Sequence, residues 1–197
     1  MISDNEDRME AAMPNVIQKL RGEHENFSKV LSALERQIET FEQSGEPDYD
    51  LIQKIIDYFG VFPDVAHHPA EDMIYHQLLV RDVRTAKLLG NLEVEHAHLR
   101  DLIGLVDISV REVLMDVEFP RVKLVDLARG FVEFFRSHML MEEMRFFPAA
   151  ERALTAMDWA KIGAALKEPS DPLFGREVGL QYNELKNLIL QIDRESA

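Results

Sequence analysis

The 197-residue chain has no cysteine, which removes disulfides, thiolate catalysis, iron–sulfur ligation and thiolate zinc sites together. The redox compartment is thereby left open. Basic residues are scarce, 22 Lys and Arg against 36 Asp and Glu, for a formal charge of −14. With no basic cluster longer than a pair, nucleic acid and anionic membrane surfaces are excluded as main partners. Long apolar runs are also missing: Leu102 to Val110 is broken by Asp107, far short of the ~20 residues needed to cross a bilayer. The opening MISDNEDRMEAAM is acidic and lacks the basic and apolar regions of a secretory signal, so a cytoplasmic location is expected. Strand patterning, internal repeats, low-complexity tracts, phosphate-binding loops, dinucleotide fingerprints, the zinc-protease H-E-x-x-H and G-x-S-x-G are absent.

What remains is helix. Only 9 Gly and 8 Pro occur, grouped where apolar periodicity lapses, as punctuation between long helices. Beyond Pro14 a stripe runs Ile17, Leu20, Phe27, Leu31, Leu34, Ile38, Phe41, with His24 in its one missing place. Gly45, Pro47 and the candidate caps Asp48 or Asp50 open a second helix over about 50–80. Pro63 and Pro69 lie inside it and predict a kink or bulge beside His67, His68 and Glu71. A third stripe, Leu89, Leu92, His96, Leu99, Ile103, Val106, Val110, Val113, crosses a Pro-free stretch from 85 to 119. Pro120 suits the first position of a fourth helix with the stripe Leu124, Leu127, Phe131, Phe134, His138, Met141. Pro148 marks its expected end. The fold expected is an all-α, antiparallel up-down-up-down four-helix bundle over 14–152, after a flexible acidic N-terminus, 1–13. A C-terminal helical extension, 153–197, follows, with a capping box at Thr155 and Asp158 and an amphipathic segment over 176–192.

Three of the stripes each carry one histidine, and the kinked helix carries another. In antiparallel order His24 and His96 lie early in their helices and His67 and His138 late, so all four converge on one layer. His67 with Glu71 and His138 with Glu142 are i,i+4 pairs that add two inward carboxylates. No Lys or Arg has the periodicity to neutralise both, although Arg100 and Arg145 are near the stripes, so a cation is the expected counter-charge. Imidazole and carboxylate without thiolate suit iron, manganese or zinc, and two shared carboxylates favour a pair of ions. Four His and two Glu divided between two irons leave positions open for a small exogenous ligand.

The segments GEH at His24, HHPAED over 67–72, EH ending at His96 and HMLMEEMRFFP over 138–148 resemble the hemerythrin-like HHE cation-binding proteins of bacteria. The resemblance covers about residues 15–170. It implies an antiparallel four-helix bundle, a non-haem di-iron centre and chemistry on dioxygen, nitric oxide or iron itself, with His24, His67, Glu71, His96, His138 and Glu142 as ligands. Oxygen-carrying hemerythrins have a further histidine where this chain has Arg100, and their last carboxylate at the position of Glu143. Both departures favour the two-glutamate branch, similar to di-iron proteins of iron–sulfur repair and to the iron-sensing domain of an F-box protein. One imidazole fewer implies an additional open position, so a reduced centre is expected to react with oxidant instead of holding dioxygen reversibly.

His68, beside Pro69, is a candidate to replace or join His67 as ligand, with His67 preferred because consecutive residues on a regular helix point about 100° apart. His98 and His76 are expected outside the site, and Glu143 is expected to be dispensable. Tyr58 and Tyr75 are expected in packing, although a hydrogen bond or an electron to the site is conceivable. Met139, Met141, Met144, Phe146 and Phe147 are expected as core filling. Asn26-Phe27-Ser28 is discounted as a glycosylation acceptor and Gly175 to Gly179 as a membrane helix contact. The function expected is binding or reduction of a small diatomic molecule or peroxide at iron, with an unidentified electron donor. Two rivals stand beside it: an iron sensor or store without turnover, and a metal-free bundle that associates, as a homo-oligomer, through its last helix.

Overall fold

The computed structural model describes residues 12–43, 45–115, 121–166, 169, 171–175 and 177–195. Most of the acidic N-terminal segment, Pro120 and Lys167 lie outside the described residues. Among the described residues every regular element is helical, and no helix is long and apolar enough to cross a membrane.

Helix α1, Ala12–Glu42, presents the whole first stripe to the interior, from Ile17 through Phe27 to Phe41. Asp48 is the cap of α2, Tyr49–Phe59, accepting from the Leu51 N–H at 3.0 Å. The kink or bulge expected at Pro63 and Pro69 is a π-helical turn, Pro63–His67, closed by the His68 N–H on the Pro63 carbonyl. Helix α3, His68–Arg81, continues from it. A short helix α4, Val83–Leu89, then ends at Gly90, which takes φ of +98°, a backbone conformation suited to glycine. The third stripe therefore does not run unbroken from Leu89. The Tyr75 hydroxyl donates to the Gly90 carbonyl at 2.6 Å, and Asn91 caps α5, Leu92–Leu114, which carries the remainder of the stripe.

Helix α6, Arg121–Met141, buries Leu124, Phe131, Val132 and Phe135, with Leu127 and Phe134 only partly covered on its flank. Pro148 does not end the chain's fourth passage. A second π-helical turn, Glu142–Phe146, precedes α7, Phe147–Ala153, with Pro148 in the first turn of α7. The missing proline N–H falls next to a turn that has already shifted the hydrogen-bond register, as at Pro69 after the first π turn. Thr155 and Asp158 form the expected capping box of α8, Ala156–Ala165.

Two apolar clusters fill the molecule. The larger gathers Phe27 to Phe41, Leu51 to Ala66, Leu99 to Val110 and Leu124 to Met139; the smaller gathers Val16 to Leu20, Ala70 to Leu78, Leu92 and Phe146 to Ile162. Each of the four long passages of chain crosses from one cluster to the other in alternating order. The C-terminal segment joins both clusters: Trp159 and Ile162 enter the smaller, and Leu173, Tyr182, Leu185 and Ile189 the larger. Helix α9, Asn183–Glu195, packs on α1 and α2. Leu185, Ile189 and Ile192 of α9 are buried in the larger cluster, while Leu190 of the same helix is exposed.

Asp158 ties α8 to α3. It is buried, accepts from Gln77 at 2.7 Å and from two nitrogens of Arg81 at 2.8 Å, and holds the Thr155 N–H at 2.8 Å. The Arg81 hydrogen bond holds the Asp158 carboxyl well below its ordinary pKa. That contribution is present above the ordinary carboxylate value and is lost as pH falls towards the depressed one. Thr155→Ala is expected to cost about 1 kcal/mol through the lost cap. Asp158→Ala should cost more, by urea unfolding, with the difference from the parent chain shrinking only below about pH 4.

Candidate metal centre

Between the two apolar clusters lies one polar layer. His24 comes from α1, His67 from the first π turn, His68 and Glu71 from α3, His96 from α5, His138 from α6 and Glu142 from the second π turn, and all seven are buried. The layer contains every site residue expected from sequence and adds His68. Four imidazoles were expected and five gather. The 100° argument against consecutive ligands holds for a regular helix, but His67 and His68 sit where the π turn hands over to the α-helix. They share the layer by facing different halves of it.

Two groups of ligand atoms, each within 4.8 Å of one another, could hold a metal ion: His68, Glu71, His96 and His138, and His24, His67, Glu71 and Glu142. Glu71 belongs to both. Its Oε1 lies 3.2 Å from His67 Nε2 and 3.6 Å from His24 Nε2, while its Oε2 lies 3.4 Å from His96 Nε2. Glu142 also spans the halves, with Oε1 at 3.2 Å from His138 Nε2 and Oε2 at 3.4 Å from His24 Nε2. The rings of His68 and His96 stack at 4.1 Å. Phe147 stacks on His24 at 5.5 Å, and Phe27 meets the His67 ring edge-on at 4.9 Å.

Each imidazole is held from behind by a carboxylate on its Nδ1. Glu143 serves His24 at 2.9 Å, Glu23 serves His67 at 2.8 Å, Asp72 serves His96 at 2.9 Å and Glu95 serves His138 at 2.8 Å. These four carboxylates each reach a histidine of a different passage, so the support runs in a closed ring through all four. Asp64 serves His68 at 2.9 Å within one passage and also pairs with Arg100. A carboxylate only accepts, so each Nδ1 carries a proton, and a ring that gives up its second proton turns an Nε2 lone pair inward. The sequence signal for this support was present: Glu23, Asp72, Glu95 and Glu143 each adjoin a residue of the layer in the chain.

The layer calls for positive charge. Burial opposes a proton on His24, yet its hydrogen bond to Glu143 and the negative charges of Glu71 and Glu142 lift its pKa to about 10. Burial likewise opposes protonation of His96, but Asp72, Glu142 and Glu71 raise it to about 11. Burial, helped by His96 and His67, depresses His68 to about 4 despite Asp64. Burial and the charge of Glu71 push the Glu142 carboxyl up. Nε2 of His68, His96 and His138 and all four carboxylate oxygens of Glu71 and Glu142 have no hydrogen-bond partner, and His24 and His67 face each other Nε2 to Nε2 at 3.0 Å. Converging lone pairs and buried carboxylates repel one another unless a proton or cation lies among them. The donor set therefore fits metal ions, and in mixed imidazole and carboxylate chemistry fits iron, manganese or zinc.

Residues 10–150 match the sequence model of the family described as Hemerythrin HHE cation binding domain. The chain belongs to that family. No curated protein and no solved structure gives a match. Family membership implies non-haem metal binding by this hemerythrin domain, and the two His/Glu groups agree with it.

The residues expected outside the layer are outside it. His98 is exposed and meets Phe134 edge-on, and His76 is exposed beside Glu93. Arg100 takes no place in the layer and braces Asp64 instead. Tyr58 is buried among aromatic rings and donates to Asp171 at 3.1 Å. Glu143, expected to be dispensable, holds His24. Accordingly His68→Ala and His96→Ala should each lower bound metal, whereas His98→Ala should not, by metal analysis of the purified variants. Glu143→Ala should weaken metal binding by roughly 10- to 100-fold, less than Glu71→Ala, in a chelator competition.

Proposed function

We propose that the chain is a di-iron protein of the two-glutamate hemerythrin-like branch that binds or reduces dioxygen, nitric oxide or peroxide. The ligands in this reading are His24, His67, Glu71, His96, His138 and Glu142, joined by His68. The carrying observation is that two ligand groups share Glu71 but differ in imidazole count, three on one side and two on the other. A shared carboxylate suits two adjacent cations; with Glu142 counted on both sides, since its two oxygens reach His138 and His24, the two-imidazole side has four donors against five and more room for an exogenous ligand. Bound iron would supply the electrons and the open coordination that a small oxidant needs. The chain's own residues orient the imidazoles from their Nδ1 sides and exclude bulk water through the apolar clusters above and below. His68 supplies the imidazole that Arg100 does not, so the absence of a histidine at 100 no longer argues against a full donor set.

We also infer an antiparallel four-helix bundle, supported by the alternating order in which the four passages cross between the clusters. The bundle spans 14–152, with 153–197 as an extension packed against it. Manganese or zinc in the same donor set is the chemical alternative, and metal analysis separates it from iron.

Protein purified without added metal is expected to hold about two irons per chain, with an absorption spectrum that changes on reduction and again on exposure to oxidant. Mixing the reduced protein anaerobically with dioxygen, and separately with nitric oxide, should change the spectrum without release of iron. Protein lacking iron, or losing it on oxidation, would contradict the reading. Metal binding must also displace protons, because His24 and His96 take them up in the metal-free chain well above neutrality. Affinity should rise with pH from 6 to 8, and calorimetric titrations in buffers of different ionisation enthalpy should detect the released protons.

A further inference from the structure

The polar layer is closed on two sides by the apolar clusters, so any exogenous ligand must reach it between helices. A groove of about 510 Å³ lies between α1 and α6, and His24 forms part of its wall. Two other cavities have none of the seven layer residues on their walls. One is a 20 Å³ apolar pocket between Phe41 and Val110, and the other is a 280 Å³ groove beside Arg100 and Gly104. His24 belongs to the two-imidazole group. The groove thus approaches the half of the layer with fewer imidazoles.

His24 is the layer residue on the groove's wall, and Glu143 and Arg21, which fix its ring, line the groove beside it. Glu143 accepts from His24 Nδ1 at 2.9 Å and from Arg21 Nε at 3.0 Å. Arg21 also reaches Glu151 at 3.6 Å and lies 5.9 Å above the Phe147 ring, which stacks on His24. Both members of the Arg21–Glu143 pair are partly exposed, 40% and 30%. An ion pair so placed is worth little in stability and can break and reform readily. The groove also carries Arg136, bridged to Glu35 and Ser32. Glu25 and Glu143 line the same groove, so its two guanidinium groups are matched by carboxylates.

We propose that this groove is the access route of small exogenous ligands to the centre, with the Arg21–Glu143 pair as its latch. The proposal rests on the metal-binding reading above. It assigns access to the His24 side and not to the Arg100 side, and it gives Arg21 a role in the rate of ligand binding, not in holding metal.

The test uses iron-loaded, oxidised full-length protein and azide as the probe, followed by stopped-flow absorption, with iron content measured on every sample. Leu140 lines the groove and is 62% exposed, so Leu140→Trp fills the route without disturbing the core. It should slow azide association roughly tenfold at unchanged iron content, and Ser28→Trp on the opposite wall should do the same. Val61→Trp, an exposed position in the groove beside Arg100, should leave the rate unchanged. Arg21→Ala should accelerate association several-fold. Unchanged rates in both groove variants, or slowing by Val61→Trp alone, would overturn the route, and an unchanged rate in Arg21→Ala would overturn the latch. A wild-type centre that holds iron but takes no azide would also overturn the proposal. A protein that holds no iron at all would instead refute the metal-binding reading beneath it.

Discussion

Two fully buried carboxylates, Glu71 and Glu142, are the constraint around which the rest of this molecule is arranged. Removing an ionised carboxylate from water costs several kcal/mol even after relaxation, and among the described residues no Lys or Arg pairs with either carboxylate. The compensation comes from imidazoles, four of which, His24, His67, His96 and His138, bring Nε2 within 4 Å of these oxygens. Imidazole is a borderline base, neutral or charged according to its surroundings, so the layer can be satisfied by protons or by metal ions. That choice is what turns a packing problem into a binding site.

The outer carboxylates convert this layer into a tertiary device. Glu23 on α1 holds His67, Asp72 on α3 holds His96, Glu95 on α5 holds His138, and Glu143 after α6 holds His24. Because each contact joins a different pair of passages, none can be made until the helices are in register. The ring fixes imidazole tautomers and orientation, and it couples the geometry of the centre to the docking of all four passages. The apolar clusters on either side fix the depth of the layer. The extension from Thr155 onward reinforces the same clusters through Trp159 and Leu185, so the C-terminal segment contributes to the frame that holds the site.

Much of this was legible in the sequence. Three-four spacing placed His24, His96 and His138 on buried stripes, and the i,i+4 rule placed Glu71 and Glu142 beside their histidines. What was not legible depends on local departures from regular helix. Pro63 and Pro69 signalled irregularity but not a π turn, and only that turn puts His67 and His68 in one layer. Pro148 read as a stop, whereas the preceding π turn lets the chain continue to Ala153. Gly90 breaks the third stripe because its positive φ is a backbone choice invisible to apolar periodicity. The outer carboxylates were visible as residue types, but which passage each would serve depends on helix rotation and not on spacing.

The central claim is that the layer holds two metal ions, divided three imidazoles to two and bridged by Glu71. Anomalous diffraction from crystals of the as-purified protein, collected on both sides of the iron absorption edge, tests it most directly. The account predicts two iron peaks on either side of the Glu71 carboxylate, one among His68, His96 and His138 and the other beside His24 and His67. A single peak, peaks away from this layer, or a layer with no anomalous signal at any first-row metal edge would contradict it.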